Sequence, residues 1–196
     1  MIFKLFRISF FGYCPVTVEL IEKGIHRDKI KAFPRGIDIE RFHPSKRNGY
    51  LKEHYQIKET IKLLYVGRVS KEKNLHLLVD VFKRLVEAAK NIHLVVVGDG
   101  PYLEEMKEQL QGMPCTFTGY LEGEELSFVY ASSDIFVFPS TTDTFGNVVL
   151  EAQASGIPVI VTNKGGPHEN MLENKTGIVV NADDPKELLD AIQRMI

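Results

Sequence analysis

Cysteine is scarce: only Cys14 and Cys115 occur in 196 residues, far apart and at no metal-ligand spacing. That disfavours a disulfide framework and a zinc ribbon, and it fits a reducing, cytoplasmic setting. Net charge is nearly absent as well, since 24 Lys and Arg against 26 Asp and Glu leave −2. No global field exists to attract nucleic acid or an acidic lipid surface, so no nucleic-acid partner is expected and any anion site must be local. Long hydrophobic runs are missing too. The apolar N-terminus is broken by Lys4 and Arg7, and its uncharged stretch from Ile8 to Val18 contains Gly12 and Pro15. It falls short of the roughly 20 apolar residues that span a bilayer, so a packed or frayed segment is expected rather than a targeting one.

Familiar catalytic signatures are also lacking. There is no Gly-Lys-Ser/Thr phosphate loop, no Gly-x-Ser-x-Gly elbow and no Asp-x-Asp pair, and the six histidines are scattered. Gly98-Asp99-Gly100-Pro101 begins like a dinucleotide fingerprint, but the third glycine is missing and the loop follows the second strand instead of the first. No metal and no other cofactor is expected. Neutralising an anion would then rest on basic side chains and a helix dipole.

What the chain does have is an ordinary globular composition, 44% hydrophobic and 26% charged, and a regular alternation from Ile61 onward. Short apolar runs read as strands at Ile61 to Val66, Ile92 to Val97, Cys115 to Thr118, Ile135 to Phe138, Ile157 to Val161 and Gly177 to Val180. Amphipathic stretches separate them. This predicts an α/β fold, a Rossmann-like parallel sheet with helices on both faces. Unbroken aliphatics such as Leu94-Val95-Val96-Val97 fit strands buried on both sides. Asn74 is expected to cap the helix through Leu75 to Val86, and Asp184-Pro185 with Glu187 to open the last one. Before Ile61, Glu19 to Gly24 reads as a helix end and Lys29 to Phe33 as a short strand. Pro34 to Pro44 reads as a connection docked through Ile37 and Phe42. The expected organisation is therefore a tail and linker over 1–44 and a Rossmann-like domain over 45–196.

In an open parallel sheet ligands bind beyond the carboxyl ends of the strands, so the loops there carry the chemistry. After the first strand comes Gly67-Arg68-Val69-Ser70-Lys71-Glu72-Lys73-Asn74. Gly67 permits close backbone approach, Arg68 offers a fork to phosphate oxygens, and Lys73 adds a point charge near a helix start. A solvated charged loop is the plainer account. After the fourth strand, Asp143, Asn147, Glu151 and Ser155 recur every four residues amid mostly apolar neighbours, which suggests a cleft wall. Amides of Phe145, Gly146 and Asn147 at the helix start could accept a phosphate. The alternative is that Asp143 caps the helix and Glu151 pairs with a cation. Gly119-Tyr120-Leu121 is compatible with a base edge against backbone, and Gly165-Gly166 with another close approach or an ordinary turn.

These motifs, in this order, resemble the C-terminal, donor-binding domain of retaining family 4 glycosyltransferases, which have the two-domain GT-B fold. The resemblance is carried by Pro34-Arg35-Gly36-Ile37-Asp38 through Phe42, Gly67-Arg68 through Lys73-Asn74, Val97 through Pro101, and Phe117-Thr118-Gly119-Tyr120. Pro139-Ser140 through Glu151-Ala152, Gly156-Ile157-Pro158-Val159, and Gly165-Gly166 with Glu169 complete it. It implies that Arg68 and Lys73 hold the diphosphate of a nucleotide sugar and that Glu151 binds ribose hydroxyls. Asp143 would meet the donor sugar as the catalytic carboxylate, in place of the family's usual glutamate and with seven residues between it and Glu151. Backbone from Phe145 through Gly146 and Asn147 to Val148 would complete the phosphate site, with Gly67 beside it. Backbone at Tyr120 and Leu121 would meet the base. The acceptor, a glycan or lipid, would be held by an N-terminal domain missing here, with possible peripheral membrane association of the full-length protein; the chain reads as truncated. The implied function is retaining transfer from a nucleotide-diphosphate sugar. Its alternatives are a non-catalytic binding module or subunit, and a sugar-nucleotide epimerase.

Overall fold

The computed structural model describes residues 20–30, 36–58, 60–88 and 91–196. The chain forms two compact units, Met1–Gly36 and Ile37–Ile196. In the first, Leu20 to Glu22 is helical and Arg27–Lys29 is a single 3-10 turn. Lys29 therefore ends a turn where a strand was expected, and the rest of that strand lies largely outside the described residues, as does most of the apolar N-terminus.

The second unit is built on six strands: β1 (Ile61–Val66), β2 (Ile92–Val97), β3 (Cys115–Gly119), β4 (Ile135–Phe138), β5 (Val159–Thr162) and β6 (Gly177–Val180). Five of them begin at the predicted residue. The fifth starts two residues late, because Pro158 has no N–H to give to a ladder. All pairings are parallel, in the order β3-β2-β1-β4-β5-β6. The aliphatic runs are buried as their composition requires: Leu63, Leu64, Leu94, Val95, Val96, Phe136 and Val137 have no exposed surface.

Six helices cover the sheet: α1 (Tyr50–Tyr55), α2 (Leu75–Glu87), α3 (Leu103–Gln109), α4 (Gly123–Ser132), α5 (Asn147–Ala154) and α6 (Pro185–Met195). α2 packs with α3 and α6, and α4 with α1 and α5. The grouping follows from handedness: right-handed crossovers running outward from β1 toward β3 and from β4 toward β6 must cover opposite faces. Asp184 caps α6 as expected, its Oδ1 accepting the N–H groups of Lys186 and Glu187. Asn74 does not cap α2. It lies in the left-handed region (φ 56°), and its amide donates instead to the Ala182 carbonyl at 2.9 Å, tying α2 to the strand-end loop after β6.

At the carboxyl edge the loops lie backbone against backbone. The N–H of Gly67 donates to Val97 O (3.0 Å), that of Val69 to Asp99 O (2.9 Å), and that of Gly98 to Gly119 O (2.8 Å). A Cβ on Gly98 would stand 2.0 Å from the Gly67 carbonyl oxygen. The glycines of this Gly-x-Gly segment thus serve the contact between two loops. At the opposite edge Asp134 clamps β1 to β4, accepting from Arg47 (2.8 Å) and from the Lys62 N–H (2.9 Å).

Gly98 and Gly112 both have positive φ (129° and 78°), but nothing lies within 4 Å of a Cβ on Gly112. Gly112→Ala is therefore expected to cost about 1 kcal/mol from conformation alone, and Gly98→Ala roughly 3 kcal/mol or more. Urea unfolding of the two variants reads the difference, and equal costs would mean that the loop contact contributes nothing.

Candidate functional site

The strand order reverses between β1 and β4, and the crevice outside a parallel sheet opens at such a point. A cleft of about 710 Å³ lies there. Its lining comes from the loop after β1 (Val66, Gly67, Arg68), the loop after β2 (Val97, Gly98, Asp99) and the segment leading from β3 into α4 (Tyr120, Leu121, Glu122, Gly123, Leu126). Val148 and Glu151 of α5 and Arg41 from the connection before α1 complete it.

Glu151 is the carboxylate on the α5 wall. Its Oε2 accepts the Tyr130 hydroxyl at 2.9 Å, and Oε1 takes no bond from any described residue. Tyr130 is wholly buried, pressed against Phe42 and Phe136. Burial raises the Glu151 carboxyl above the usual carboxylate range, outweighing the Tyr130 hydrogen bond and the Arg41 charge, both of which lower it. The hydroxyl fixes one face of the carboxylate and leaves the other oxygen as an acceptor for a ligand hydroxyl.

The basic residues behave differently from one another. Arg68 reaches the cleft with its side chain 66% exposed, loosely tethered to Glu72 at 3.8 Å. Its loop is pinned from below by buried Tyr65, whose hydroxyl donates to the Arg68 carbonyl at 2.9 Å. Lys73 and Asp143 lie outside the cleft lining and bind each other: Lys73 Nζ to Asp143 Oδ2 at 2.8 Å, with the Ser140 hydroxyl donating to the same oxygen. Each of the two residues expected to meet a diphosphate and a sugar has the other as its partner.

Phe145, Gly146 and Asn147 form the entry to α5. Gly146 adopts φ 73°, and no side chain caps the helix there. The Asn170 amide donates to the Phe145 carbonyl, and Gly166 N–H donates to Asp143 O at 2.8 Å. A Cβ on Gly166 would sit 2.0 Å from Thr144 O; the Gly165-Gly166 pair thus lets this loop lie against the backbone of 143–145. Tyr120 is 76% exposed at the rim.

The cleft accordingly gathers Gly67, Arg68, Tyr120, Leu121, Val148 and Glu151, while Lys73, Asp143, Phe145, Gly146 and Asn147 are not part of its lining. The polar stripe of α5 is divided: Glu151 faces the cleft with Val148, Asn147 is exposed, and Ser155 is buried. Arg41 on the cleft and Tyr130 behind Glu151 are residues that sequence reasoning missed. The signal for Arg41 was its position beside the expected anchor Phe42. Among the described residues no cluster of three or more His, Cys, Asp or Glu is placed to hold a metal ion, and no helix is long and apolar enough to cross a membrane.

The family described as glycosyl transferases group 1 matches residues 49–196. Sulfoquinovosyl transferase SQD2 of Arabidopsis thaliana is 37% identical over 176 residues, 86% of this chain and 33% of that protein. A GDP-mannose-dependent alpha-mannosyltransferase of Corynebacterium glutamicum is 40% identical over 183 residues, covering 91% of this chain and 41% of its own. The chain thus spans less than half the length of these curated relatives. Among solved structures, a glycosyltransferase from Rickettsia africae superposes with a TM-score of 0.81 at 24% identity, over 92% of this chain and 50% of that one. Anabaena Alr3699/HepE, solved with UDP and glucose, superposes with 0.78 at 22% identity, over 91% and 50%. These likenesses show the GT-B Rossmann-like fold.

The raised carboxyl of Glu151 has a consequence for stability. A group whose native pKa lies above its unfolded value contributes stability that is complete below the unfolded pKa and lost as pH rises through the native one. Glu151→Gln keeps an acceptor for Tyr130 without that loss. At neutral pH it is expected to unfold at the same or higher urea concentration than the wild type, the advantage vanishing toward acid pH. A variant less stable at neutral pH would show that the ionised carboxylate is net stabilising where it sits.

Proposed function

The chain belongs to the glycosyl transferases group 1 family, and on that premise we propose that this cleft binds a nucleoside-diphosphate sugar for retaining glycosyl transfer to an acceptor. The observation that carries the reading is the convergence of Arg68, Glu151 and loop backbone on one crevice at the sheet's switch point. Glu151 Oε1 accepts the ribose hydroxyls, and the backbone at Tyr120 and Leu121 meets the base. Arg68 and the uncapped start of α5 bracket the diphosphate, where charge-assisted hydrogen bonds and the helix dipole favour an anion. Lys73 joins them by exchanging its Asp143 partner for a phosphate oxygen, and Asp143 turns to the donor sugar.

In this reaction the bond between the anomeric carbon and the diphosphate oxygen breaks with its electron pair leaving on that oxygen, and an acceptor hydroxyl forms the new bond on the same face and gives its proton to the departing diphosphate. Negative charge grows on the departing diphosphate, and cations already in position stabilise it with little rearrangement. The acceptor, a glycan or lipid, would sit on an N-terminal domain of the kind that the longer relatives have room for. Residues 1–44 would be its end and the connecting segment, and a full-length protein could associate peripherally with a cytoplasmic membrane face. Because several relatives are named as GDP-mannose-dependent, GDP-mannose is the first donor to test.

Calorimetry with GDP and GDP-mannose, and with UDP and UDP-glucose as the comparison pair, separates the roles. Arg68→Ala is expected to weaken every nucleoside diphosphate by roughly 1.5–3 kcal/mol. Glu151→Ala should weaken bare nucleotide and nucleotide sugar alike. Asp143→Ala should weaken the nucleotide sugar while sparing the bare nucleotide, since it releases Lys73. Undiminished affinity in Arg68→Ala would remove the phosphate assignment, and equal loss of both ligands in Asp143→Ala would remove the sugar assignment.

Chelation should leave donor affinity unchanged, because the proposed site neutralises phosphate with side-chain cations. A loss with EDTA that magnesium or manganese restores would show that a metal takes part.

A further inference from the structure

Arg41 stands in the connection before α1, and the structure ties it to the donor site by two routes. The first is mechanical. Asp38 Oδ1 accepts the N–H groups of Glu40 and Arg41 at 3.0 Å each, and Asp38 O accepts that of Phe42 at 2.9 Å, closing a tight turn. Phe42, 5% exposed, inserts beside Tyr130 with its ring edge-on at 5.5 Å. Tyr130 in turn donates its hydroxyl to Glu151. The second route is electrostatic. The Arg41 guanidinium lies 5.2 Å from the Phe42 ring, and Arg41 lines the same cleft as Glu151. Its Nε is buried with no hydrogen-bond partner among the described residues.

Resting on the reading of Glu151 as the ribose carboxylate, we propose that Arg41 is a positioning residue: its charge supplies the counter-ion that holds Glu151 as a hydrogen-bond acceptor at the cleft wall. A ribose hydroxyl donates far better to a carboxylate than to a carboxylic acid, and burial pushes Glu151 toward the acid. Tyr130 and Arg41 oppose that tendency. Tyr130 can only donate a hydrogen bond, being buried and itself pushed to higher pKa, so Arg41 supplies the positive charge. The other charged groups on the cleft are Arg68 from the β1 loop, Asp99 from the β2 loop and Glu122 before α4. Of the charged groups on the cleft, Arg41 is the one whose charge acts on Glu151. The segment joining this domain to its neighbour would thereby set the affinity of the donor site.

The test compares this chain with Arg41→Gln, Arg41→Lys and Arg41→Met, the last retaining an apolar stem over Phe42. Carbon-13 NMR follows the Glu151 carboxyl, assigned by its loss in Glu151→Gln, while GDP affinity is measured across acidic to neutral pH. In Arg41→Gln and Arg41→Met the Glu151 titration should move to higher pH. GDP should bind about threefold to tenfold more weakly, with the deficit largest at the acid end. Arg41→Lys should restore both. An unmoved Glu151 titration in the neutral variants overturns the proposal even if GDP affinity falls, and so does a lysine variant that behaves like glutamine. If the wild-type chain binds no nucleoside diphosphate at any pH, the donor-site reading fails instead, and the NMR titration still decides whether Arg41 governs Glu151.

Discussion

A parallel strand cannot be joined to its neighbour by a tight turn. The chain must cross back over the sheet, so every strand leaves by the same edge and its following loop is delivered there. In this protein that constraint builds the site. β1 sits at the centre with β2 on one side and β4 on the other, and the crossovers on its two sides lie on opposite faces. The loops after β1 and β4 therefore diverge and leave a crevice between them. Glycine contacts close the β1 and β2 loops into a backbone floor, and α5 forms the facing wall.

The electrostatics of the crevice follow from how deep each group sits. Arg68 is out in solvent and costs little to keep charged. Glu151 is half-buried beside a fully buried tyrosine, and burial opposes its ionisation. Lys73 and Asp143 lie between these extremes and compensate each other. On the proposed reading a diphosphate sugar would engage each of that pair separately; without it, the ion pair leaves neither charge isolated.

Much of the fold was legible along the chain. β1, β2, β4 and β6 have the bounds their aliphatic runs predict, because strands covered by helices are buried along most of their length and draw mainly on apolar residues. The last helix shows its Asp184-Pro185 start for an equally local reason. Asn74 was misread because its competitor, the carbonyl of Ala182, lies at the far end of the chain and wins the side chain from the helix. The stripe through Asn147, Glu151 and Ser155 was a true helical period, but period alone does not say which part of a stripe a neighbouring element covers.

Local chemistry therefore determined the elements, the loops that carry charge and the glycines at which backbone can approach backbone. These depend on neighbours within a few residues, where side-chain type constrains φ, ψ and burial directly. Tertiary structure alone decided that Lys73 pairs with Asp143, that Tyr130 holds Glu151, and that Arg41 faces the same cleft. Such choices join residues brought together only when the sheet closes, and their energies depend on distance and desolvation, which no order of letters expresses.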